Sequence, residues 1–409
     1  MNRSIPIDKV ELKLRVWRMK PHSVAMKVQF SHRETCTFLF CEMRKHMARS
    51  NVKPSDLKNT VSLYRRYTAG RSAALLSLLA LAFCLSVLCV NAGSAHINPV
   101  SVVKAFFGLG DEKNILIVWN IRMPRVLAAV IAGAGLSLSG CVMQNVLKNP
   151  MASPSTLGVS NAAVFGANFA IIVLGAGSFH STHGNTLTIE NPYLVTILAF
   201  ACAMGSVFLI LGLSRSTGFS PETVVLAGIA LGSILSAGTT IIQYFAMDTQ
   251  VAAAVFWTFG DLGRASMKED VIMLCVVSAA FLYFFLRRWD YNALANGEEV
   301  ARSLGVRTRR VRFWSLLIAS MITAVCVSFL GIIGFVGLVA PQAVKRFTGA
   351  DYRFLLPASA LAGTSLLLLS DTVARALLTG VALPVGAVTS LLGGPVFLFM
   401  LLRKKARRA

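Results

Sequence analysis

At 409 residues, the chain is 55% hydrophobic, only 14% of its residues are charged, and its mean hydropathy is +0.65. These values exclude an ordinary soluble domain, in which about a quarter of the residues are charged, and indicate a protein that crosses a membrane many times. The net charge of +22 does not point to a nucleic-acid partner. Of the 40 Lys and Arg residues, 16 lie in the first 71 positions and most others lie in short loops between apolar runs, as in the cytoplasmic loops of membrane proteins.

Residues 1–71 are expected to form a basic cytoplasmic extension that is partly disordered, because residues 1–46 are polar and basic without a clear period. Met47 would open a leader of more usual length, so residues 1–46 could also lie outside the native protein. Four potential zinc ligands in this stretch have a spacing that matches no common zinc finger, and we expect no metal site. They are His32, Cys36, Cys41 and His46.

Ten apolar segments predict ten membrane crossings. They cover about residues 72–92, 121–145, 158–177, 193–213, 221–245, 269–286, 313–331, 334–348, 354–378 and 385–402. We therefore predict an all-α polytopic membrane protein, with a transmembrane domain at 72–402 and a basic cytoplasmic tail at 403–409. Cytoplasmic termini would place 33 Lys and Arg residues inside and 7 outside, or 17 and 7 without the first 71 residues. This imbalance favours cytoplasmic termini for a multi-pass membrane protein.

Crossings two to five and crossings seven to ten look like two halves of inverted topology. Crossing five contains Gly228 and Gly232, and crossing ten contains Gly386 and Ser390. Inverted repeats are a common way to build alternating access around a central pathway, so these four are candidate pathway residues. Small residues in a membrane helix also serve as plain packing contacts, and both roles remain open.

The second crossing is bounded by two ordered motifs. Their residues are Arg122, Pro124 and Arg125 at its start, and Gly140, Gln144, Asn149, Pro150, Ala152, Pro154, Leu157 and Gly158 at and after its end. This order resembles that of the permease subunits of binding-protein-dependent importers for iron chelates, haem and corrinoids, the FecCD family. The resemblance covers about residues 70–405.

The cytoplasmic loop at residues 287–312 is predicted to contain a short helix between Gly297 and Gly305 with a small apolar surface. By itself, such an amphipathic loop could lie on the membrane surface. In the resembled family, the corresponding segment docks on the ATPase subunit. The matching residues here are Ala293, Leu294, Gly297, Glu298, Ala301, Leu304 and Gly305.

Three arginines, Arg122, Arg125 and Arg375, match residues that receive acidic side chains of the periplasmic binding protein in the resembled family. Guanidinium groups on an outer rim suit this role, because they form charge-assisted bonds to carboxylates and speed association. Two structural interpretations remain open. Asp371 and Arg375 can form an i, i+4 ion pair on one helix face, and Arg122 and Arg125 can anchor a helix end at lipid phosphates.

The turn at residues 214–222 joins crossings four and five on the inner side. In the resembled family this turn contributes to the cytoplasmic gate, which makes Ser216, Thr217 and Ser220 gate candidates. Structurally, Ser220 suits an N-cap because Pro221 can occupy the first position of the next helix.

The chain contains no Gly-x-x-x-x-Gly-Lys-Ser/Thr phosphate loop, so energy must come from another subunit or from an ion gradient. Few ionisable groups lie deep in the crossings, which speaks against ion coupling. No clustered metal or nucleophile set in the crossings suggests an enzyme. His180 and His183 of an outer loop are a weak sign of haem or metal ligation.

The resemblance implies a transport subunit and not an enzyme. The expected assembly is a homodimer with two ATPase subunits and a periplasmic or lipid-anchored substrate-binding protein, with crossings five and ten lining the pathway at the dimer interface. The chain itself is expected to bind membrane lipid but no cofactor and no nucleic acid, since ATP and Mg²⁺ belong to the ATPase. The expected cargo is a ferric siderophore or related metal chelate. The first alternative is import of haem or cobalamin by a permease of the same family. The second alternative is an ion-coupled secondary transporter.

Overall fold

The computed structural model describes residues 54–91, 98–178, 188–189, 191–216, 220–377 and 383–406. In these ranges the chain forms fifteen α-helices and two short antiparallel strands, β1 (Gly177–Ser178) and β2 (Thr188–Ile189). The helices are α1 (Pro54–Asn91), α2 (Pro99–Phe106), α3 (Glu112–Ile117), α4 (Met123–Val146), α5 (Val159–Asn168), α6 (Pro192–Ser216), α7 (Pro221–Tyr244), α8 (Asp248–Thr258), α9 (Met267–Leu286), α10 (Arg288–Ala295), α11 (Glu298–Ser303), α12 (Thr308–Leu330), α13 (Val336–Thr348), α14 (Tyr352–Ala376) and α15 (Val385–Ala406). Two π-helical turns, Val118–Arg122 and Phe169–Val173, connect α3 to α4 and extend α5. Two 3₁₀ turns, Pro154–Leu157 and Leu262–Arg264, precede α5 and α9.

The chain divides into two compact units, Met1–Arg66 and Tyr67–Ala409. The described part of the first unit is the beginning of α1, and the second unit holds all the other elements. The predicted domain boundaries at 71, 287–312 and 402 stay predictions. Several residues singled out above lie outside the described residues, namely His32, Cys36, Cys41, His46, His180, His183, Thr217 and positions 407–409 of the tail.

Each of the ten predicted crossings contains a helix. Seven described helical stretches are long and apolar enough to cross a membrane: Arg65–Asn91, Glu112–Val146, Pro192–Arg215, Pro221–Tyr244, Met267–Leu286, Thr308–Leu330 and Tyr352–Ala376. Two further predicted crossings are shorter apolar helices, Val159–Val173 and Val385–Met400. The one remaining predicted crossing, at 334–348, corresponds to α13, a helix of 13 residues with two basic side chains in its final turn. The predicted class, an all-α polytopic membrane protein, is confirmed.

The boundary between α12 and α13 is set by two residues in the left-handed region of backbone conformation. Gly331 has φ +79° and Phe335 has φ +63°. Glycine adopts this region at little cost, whereas a bulky residue such as Phe335 does so only when its surroundings hold it there. A Cβ atom on Gly331 would lie 2.7 Å from the carbonyl oxygen of Trp257, so glycine also permits a close backbone contact here.

Helix α4 is central in the bundle and packs against α12, α13 and α14. Its small residues allow close contact, as where Gly140 of α4 meets Gly337 of α13. Hydroxyl groups connect it to its neighbours, and Ser137 Oγ donates a hydrogen bond to the carbonyl oxygen of Ser359 at 2.6 Å. Close packing and interhelical hydrogen bonds replace the hydrophobic effect as the source of helix association inside a membrane.

Helices α4–α7 and α12–α15 pack in the same pattern, as expected for two related halves. Within each half the second helix packs on the third and fourth, α5 on α6 and α7, and α13 on α14 and α15. Between the halves, α4 packs on α13 and α14, while α12 packs on α5 and α6. The second helix of each half follows a residue with positive φ, Gly158 and Phe335. Exchanging the halves preserves these contacts, as in transporters built from repeats.

Candidate functional site

Two groups of predicted site residues lie at opposite ends of α4. Arg122 and Arg125 lie at its start, whereas Lys148, which contacts Glu298, follows its end. With a rise of 1.5 Å per residue, the 24 residues of α4 separate its ends by about 36 Å. We call the first group, Arg122, Arg125, Arg375 and Asp371, the arginine cluster. The second group, residues 287–312, is the coupling segment.

Arg122 is buried where α1 meets α4, with 4% of its surface exposed. Its Nη1 donates hydrogen bonds to the carbonyl oxygens of Val90 at 2.8 Å and Asn91 at 3.2 Å, the last two residues of α1. The last carbonyl groups of a helix have no partner within it, so a cation at this point satisfies them. Arg122 therefore holds the end of α1, a contact that its sequence position did not predict.

Asp371 of α14 is fully buried and lies between two of the predicted docking arginines. Its Oδ1 accepts a hydrogen bond from Arg125 Nε at 2.8 Å, and its Oδ2 lies 2.7 Å from Arg375 Nη2. The thiol of Cys89 in α1 donates to Asp371 Oδ2 at 3.3 Å. The i, i+4 pair expected from the sequence is thus present, and Arg125 joins it from a different helix. Because one carboxylate faces two guanidinium groups, these three side chains together carry a net positive charge.

The arginine cluster brings the three predicted docking residues to one end of α4, but their guanidinium groups are not freely exposed. The side chains of Arg125 and Arg375 are 14% and 9% exposed. Arg125 Nη2 makes no hydrogen bond to a residue that the structure describes, although Asp261 Oδ1 lies 3.5 Å from it. Nη2 is itself buried, so an incoming carboxylate could use this donor only after a neighbouring group has moved aside.

The coupling segment contains α10 and α11, and α11 lies between Gly297 and Gly305 as the sequence predicts. The two glycines have φ of +124° and +83°, values that other residues rarely adopt. They allow the chain to turn sharply on both sides of α11. Their match to the family motif is therefore explained by backbone conformation.

The remaining predicted coupling residues differ in exposure. Leu304 is 66% exposed, and its neighbour Val300 is 44% exposed. Three others are buried in the bundle, namely Ala293, Leu294 and Ala301. A partner protein would therefore meet Leu304 and Val300, while the buried residues position them.

Glu298 connects α11 to two other parts of the molecule. Its Oε1 lies 2.6 Å from Arg302 Nη2, and its Oε2 lies 3.2 Å from Nη2 of Arg312 in α12. Lys148, just after α4, places its Nζ 3.9 Å from the same Oε2. Glu298 thus fixes α11 to the end of α4 and to the start of α12, which makes it an internal anchor.

The ion pairs of Glu298 predict a pH dependence of the coupling segment. Partial burial favours a higher pKa, but hydrogen bonds and charge from Arg312 and Arg302 outweigh it and hold the pKa of Glu298 below its ordinary value. A carboxylate with a lowered folded-state pKa stabilises the fold above its ordinary pKa, and this contribution is lost as the pH falls through the folded-state value.

We therefore expect deuterium exchange of residues 296–305, corrected for intrinsic rates, to stay slow until the pH falls below the ordinary Glu value of about 4.3. Glu298→Gln should exchange faster at neutral pH and lose the acid step. An acid step of equal size in the variant would assign the effect to another group.

Asn292 of α10 anchors the coupling segment to the start of α14. Its Oδ1 accepts a hydrogen bond from the backbone N–H of Tyr352 at 2.8 Å, and its Nδ2 donates to Asp351 Oδ1 at 3.0 Å. Near its other end, α14 carries Asp371 of the arginine cluster. Helices α4 and α14 thus both connect the two sites, and the coupling segment contacts the end of α4 and the start of α14.

The predicted pathway residues of α7 and α15 lie at contacts within their own halves. A Cβ atom on Gly228 would lie 2.8 Å from Cα of Leu157, and one on Gly386 would overlap the carbonyl oxygen of Ile332. Gly232 and Ser390 lie one turn further along the same helices. Close packing is therefore their observed role, and lining of a pathway stays a prediction.

Of the three gate candidates, Ser220 is the one whose side chain is described. It occupies the N-cap position of α7, but its hydroxyl donates to the carboxylate of Glu222 and accepts no bond from a backbone N–H. Ser216 is the last residue of α6, and its side chain, like Thr217, lies outside the described residues. The gate role of these residues stays a prediction.

A model of the FecCD transport family matches residues 78–403. A protein of Methanocaldococcus jannaschii named as an ABC transporter permease, MJ0087, is 48% identical over 344 residues, which cover 84% of this chain and 98% of that protein. The Fe(3+)-citrate import system permease protein YfmE of Bacillus subtilis is 33% identical over 331 residues, 80% of this chain and 94% of the relative. The vitamin B12 import system permease protein BtuC of Shigella boydii is 37% identical over 331 residues, 80% of this chain and 95% of the relative.

A similar fold is found in the solved structure of a transporter described as a metal-chelate type ABC transporter in an inward-facing conformation. The TM-score is 0.69 at 26% identity, over 80% of this chain and 98% of that chain. The family model and the named relatives confirm the resemblance seen in the motifs around the second crossing. They also confirm the expectation of a transport subunit instead of an enzyme. The chain belongs to the FecCD transport family.

Proposed function

We propose that the chain is the permease subunit of an ATP-driven importer that moves a ferric siderophore or related metal chelate across the cytoplasmic membrane, with both termini in the cytoplasm. The observation that carries this proposal is the placement of two different sites at the two ends of α4 and α14. The arginine cluster suits the arrival of an acidic binding protein. The coupling segment, with Leu304 exposed, suits contact with an ATPase.

The proposed assembly contains two copies of this chain, two ATPase subunits and a periplasmic or lipid-anchored substrate-binding protein. Helices α7 and α15 would line the pathway between the two copies. Support comes from apolar side chains of these helices that the described residues leave exposed, since Leu226 and Ile234 of α7 are 66% and 67% exposed and Leu391 of α15 is 72% exposed. A second copy or lipid must cover such a face.

The proposed cargo is a ferric siderophore, with haem or cobalamin as the alternative. The choice of class is supported by relatives named for Fe(3+)-citrate and for vitamin B12.

The test is uptake by the complex reconstituted in vesicles with the ATPase and the substrate-binding protein that co-purify with the chain. We expect uptake of the ⁵⁵Fe-labelled chelate that the binding protein retains, blocked by vanadate and unchanged by an uncoupler. Uptake that an uncoupler abolishes while ATP is intact would instead indicate an ion-coupled transporter.

Replacing Leu304 by Asp should reduce co-purification of the ATPase about tenfold or more, because burying a Leu side chain contributes about 1.5–3 kcal/mol and Asp would place an unpaired charge in the contact. The permease itself should retain its thermal stability, since Leu304 is 66% exposed. Leu109→Asp provides the matched control, because Leu109 is 63% exposed but lies in the loop between α2 and α3. Equal ATPase recovery with both variants would contradict the coupling role.

A further inference from the structure

We propose that Asp261 is an exchangeable counter-ion of Arg125. A carboxylate of the substrate-binding protein displaces it, and its release is transmitted through residues 258–264 to the beginnings of α13 and α15. The proposal rests on the proposed function and adds a residue and a route by which docking reaches the pathway.

Arg125 faces two carboxylates of very different character. Asp371 is fully buried and accepts a hydrogen bond from Arg125 Nε at 2.8 Å. The side chain of Asp261 is 46% exposed, and its Oδ1 lies 3.5 Å from Arg125 Nη2 without a hydrogen bond. An exposed, loosely placed ion pair contributes little, whereas breaking a buried one is costly. An incoming carboxylate would therefore replace Asp261 and leave Asp371 in place.

The Asp261 carboxylate is bonded within its own loop as well as placed beside Arg125. Its Oδ1 also accepts the backbone N–H of Gly263 at 2.9 Å, which starts the 3₁₀ turn Leu262–Arg264. Gly263 packs closely against the same guanidinium, since a Cβ atom there would lie 3.0 Å from Arg125 Nη1. A new carboxylate at Arg125 would therefore compete for space beside the guanidinium with both the Asp261 side chain and the turn.

This loop is bonded to the segments that begin the last helices of the bundle. The N–H of Asp261 donates to the carbonyl oxygen of Leu330, the last residue of α12, at 2.9 Å. The N–H of Ile332, in the link from α12 to α13, donates to the carbonyl oxygen of Thr258 at 3.3 Å. The N–H of Gly386, in the first turn of α15, lies 3.4 Å from the carbonyl oxygen of Gly260. Gly386 is one of the predicted pathway residues. The peptide group that joins Gly260 to Asp261 therefore lies between the counter-ion Asp261 and the proposed pathway.

Arg264 makes the loop move as a unit with α8. Its Nη1 donates to the carbonyl oxygen of Trp257 at 2.7 Å, and its Nη2 donates to that of Phe259 at 3.1 Å. These bonds hold the end of α8 on the loop. A shift at Asp261 is therefore passed on to neighbouring segments and is not absorbed by local bending.

The first test compares affinities of the purified binding protein for the reconstituted complex at low ionic strength. Asp261→Asn removes the charge but keeps an oxygen that can accept from Gly263. Because the competitor is weakened, the binding protein should bind about two- to fivefold more tightly. Asp111→Asn is the matched control for loss of one exposed outer carboxylate, since Asp111 also precedes a short helix.

Equal affinities of the two Asn variants would overturn the exchange proposal. Arg125→Ala separates this failure from that of the proposed function. If Arg125→Ala weakens binding while Asp261→Asn has no effect, docking stands and the exchange is wrong. If Arg125→Ala leaves the affinity unchanged, docking through Arg125 is wrong as well.

The second test measures deuterium exchange at the amides of Asp261 and Gly386. In the wild type, exchange at both should rise several-fold when the binding protein docks, because their bonds to Leu330 and Gly260 are loosened. In Asp261→Asn, which has no charge for an incoming carboxylate to displace from Arg125, exchange should respond less to docking. Unchanged exchange on docking in the wild type would overturn the transmission step.

Discussion

Replacing Asp371 by Asn should destabilise the purified permease by about 3 kcal/mol or more, because it leaves two buried guanidinium groups without their shared carboxylate. Arg125 and Arg375 both contact Asp371 within 2.8 Å, so their positive charges would face one another at short range. Asn has nearly the same shape as Asp and can still accept a hydrogen bond. The loss therefore reports the charge, and thermal unfolding in a fixed detergent measures it.

Asp270→Asn is the matched control for this substitution. Asp270 of α9 is 2% exposed, and neither of its carboxylate oxygens has a hydrogen-bond partner among the described residues. Removing a charge that is buried without a partner should leave stability unchanged or raise it. If Asp371→Asn and Asp270→Asn changed the unfolding temperature equally, the ion pairs of Asp371 would not be what stabilises this end of the bundle.

The contrast between these two aspartates shows what a sequence can reveal about charges in membrane helices. The pair of Asp371 with Arg375 is local, four residues apart, and periodicity alone predicts it. The bond of Asp371 to Arg125 spans 246 residues and depends on how α14 packs on α4, which no local pattern encodes. Asp270 lies at the start of a predicted crossing, and sequence does not tell whether a helix end meets water or other helices.

Helices were predictable where they are long and apolar, because hydropathy over a window of about 19 residues reports them. Helices α2, α3 and α8 have 8, 6 and 11 residues and were missed for that reason. The helix α11 was predicted despite its six residues, because Gly297 and Gly305 mark both of its ends.

The coupling segment shows the same limit for roles of single residues. The motif match placed Glu298 among seven coupling residues, but its partners Lys148 and Arg312 come from other elements. The sequence shows Asp261 only as an acidic residue between two apolar segments. Its position beside Arg125 follows from the packing of the 3₁₀ turn Leu262–Arg264 on α4.

Replacing Gly140 by Ala should also destabilise the permease strongly, by about 3 kcal/mol, although it adds a single methyl group. A Cβ atom on Gly140 would overlap the carbonyl group of Gly337 in α13. The clash is with backbone, so no rotamer change can relieve it, and α13 would have to move away from α4. Such a shift would also break the hydrogen bond from Gln144 Nε2 to the carbonyl oxygen of Gly337, now 3.1 Å long.

Gly205→Ala is the control, because Gly205 lies within α6 and a Cβ atom there would meet nothing within 4 Å. In an open helical position, Ala is favoured over Gly by about 0.5–1 kcal/mol, so this variant should unfold at an equal or higher temperature. Opposite effects of the same substitution on thermal unfolding would show that glycine at position 140 is required by contact and not by helix flexibility. Equal effects would mean that α13 yields freely at this crossing, and that the two halves are not rigidly joined through α4.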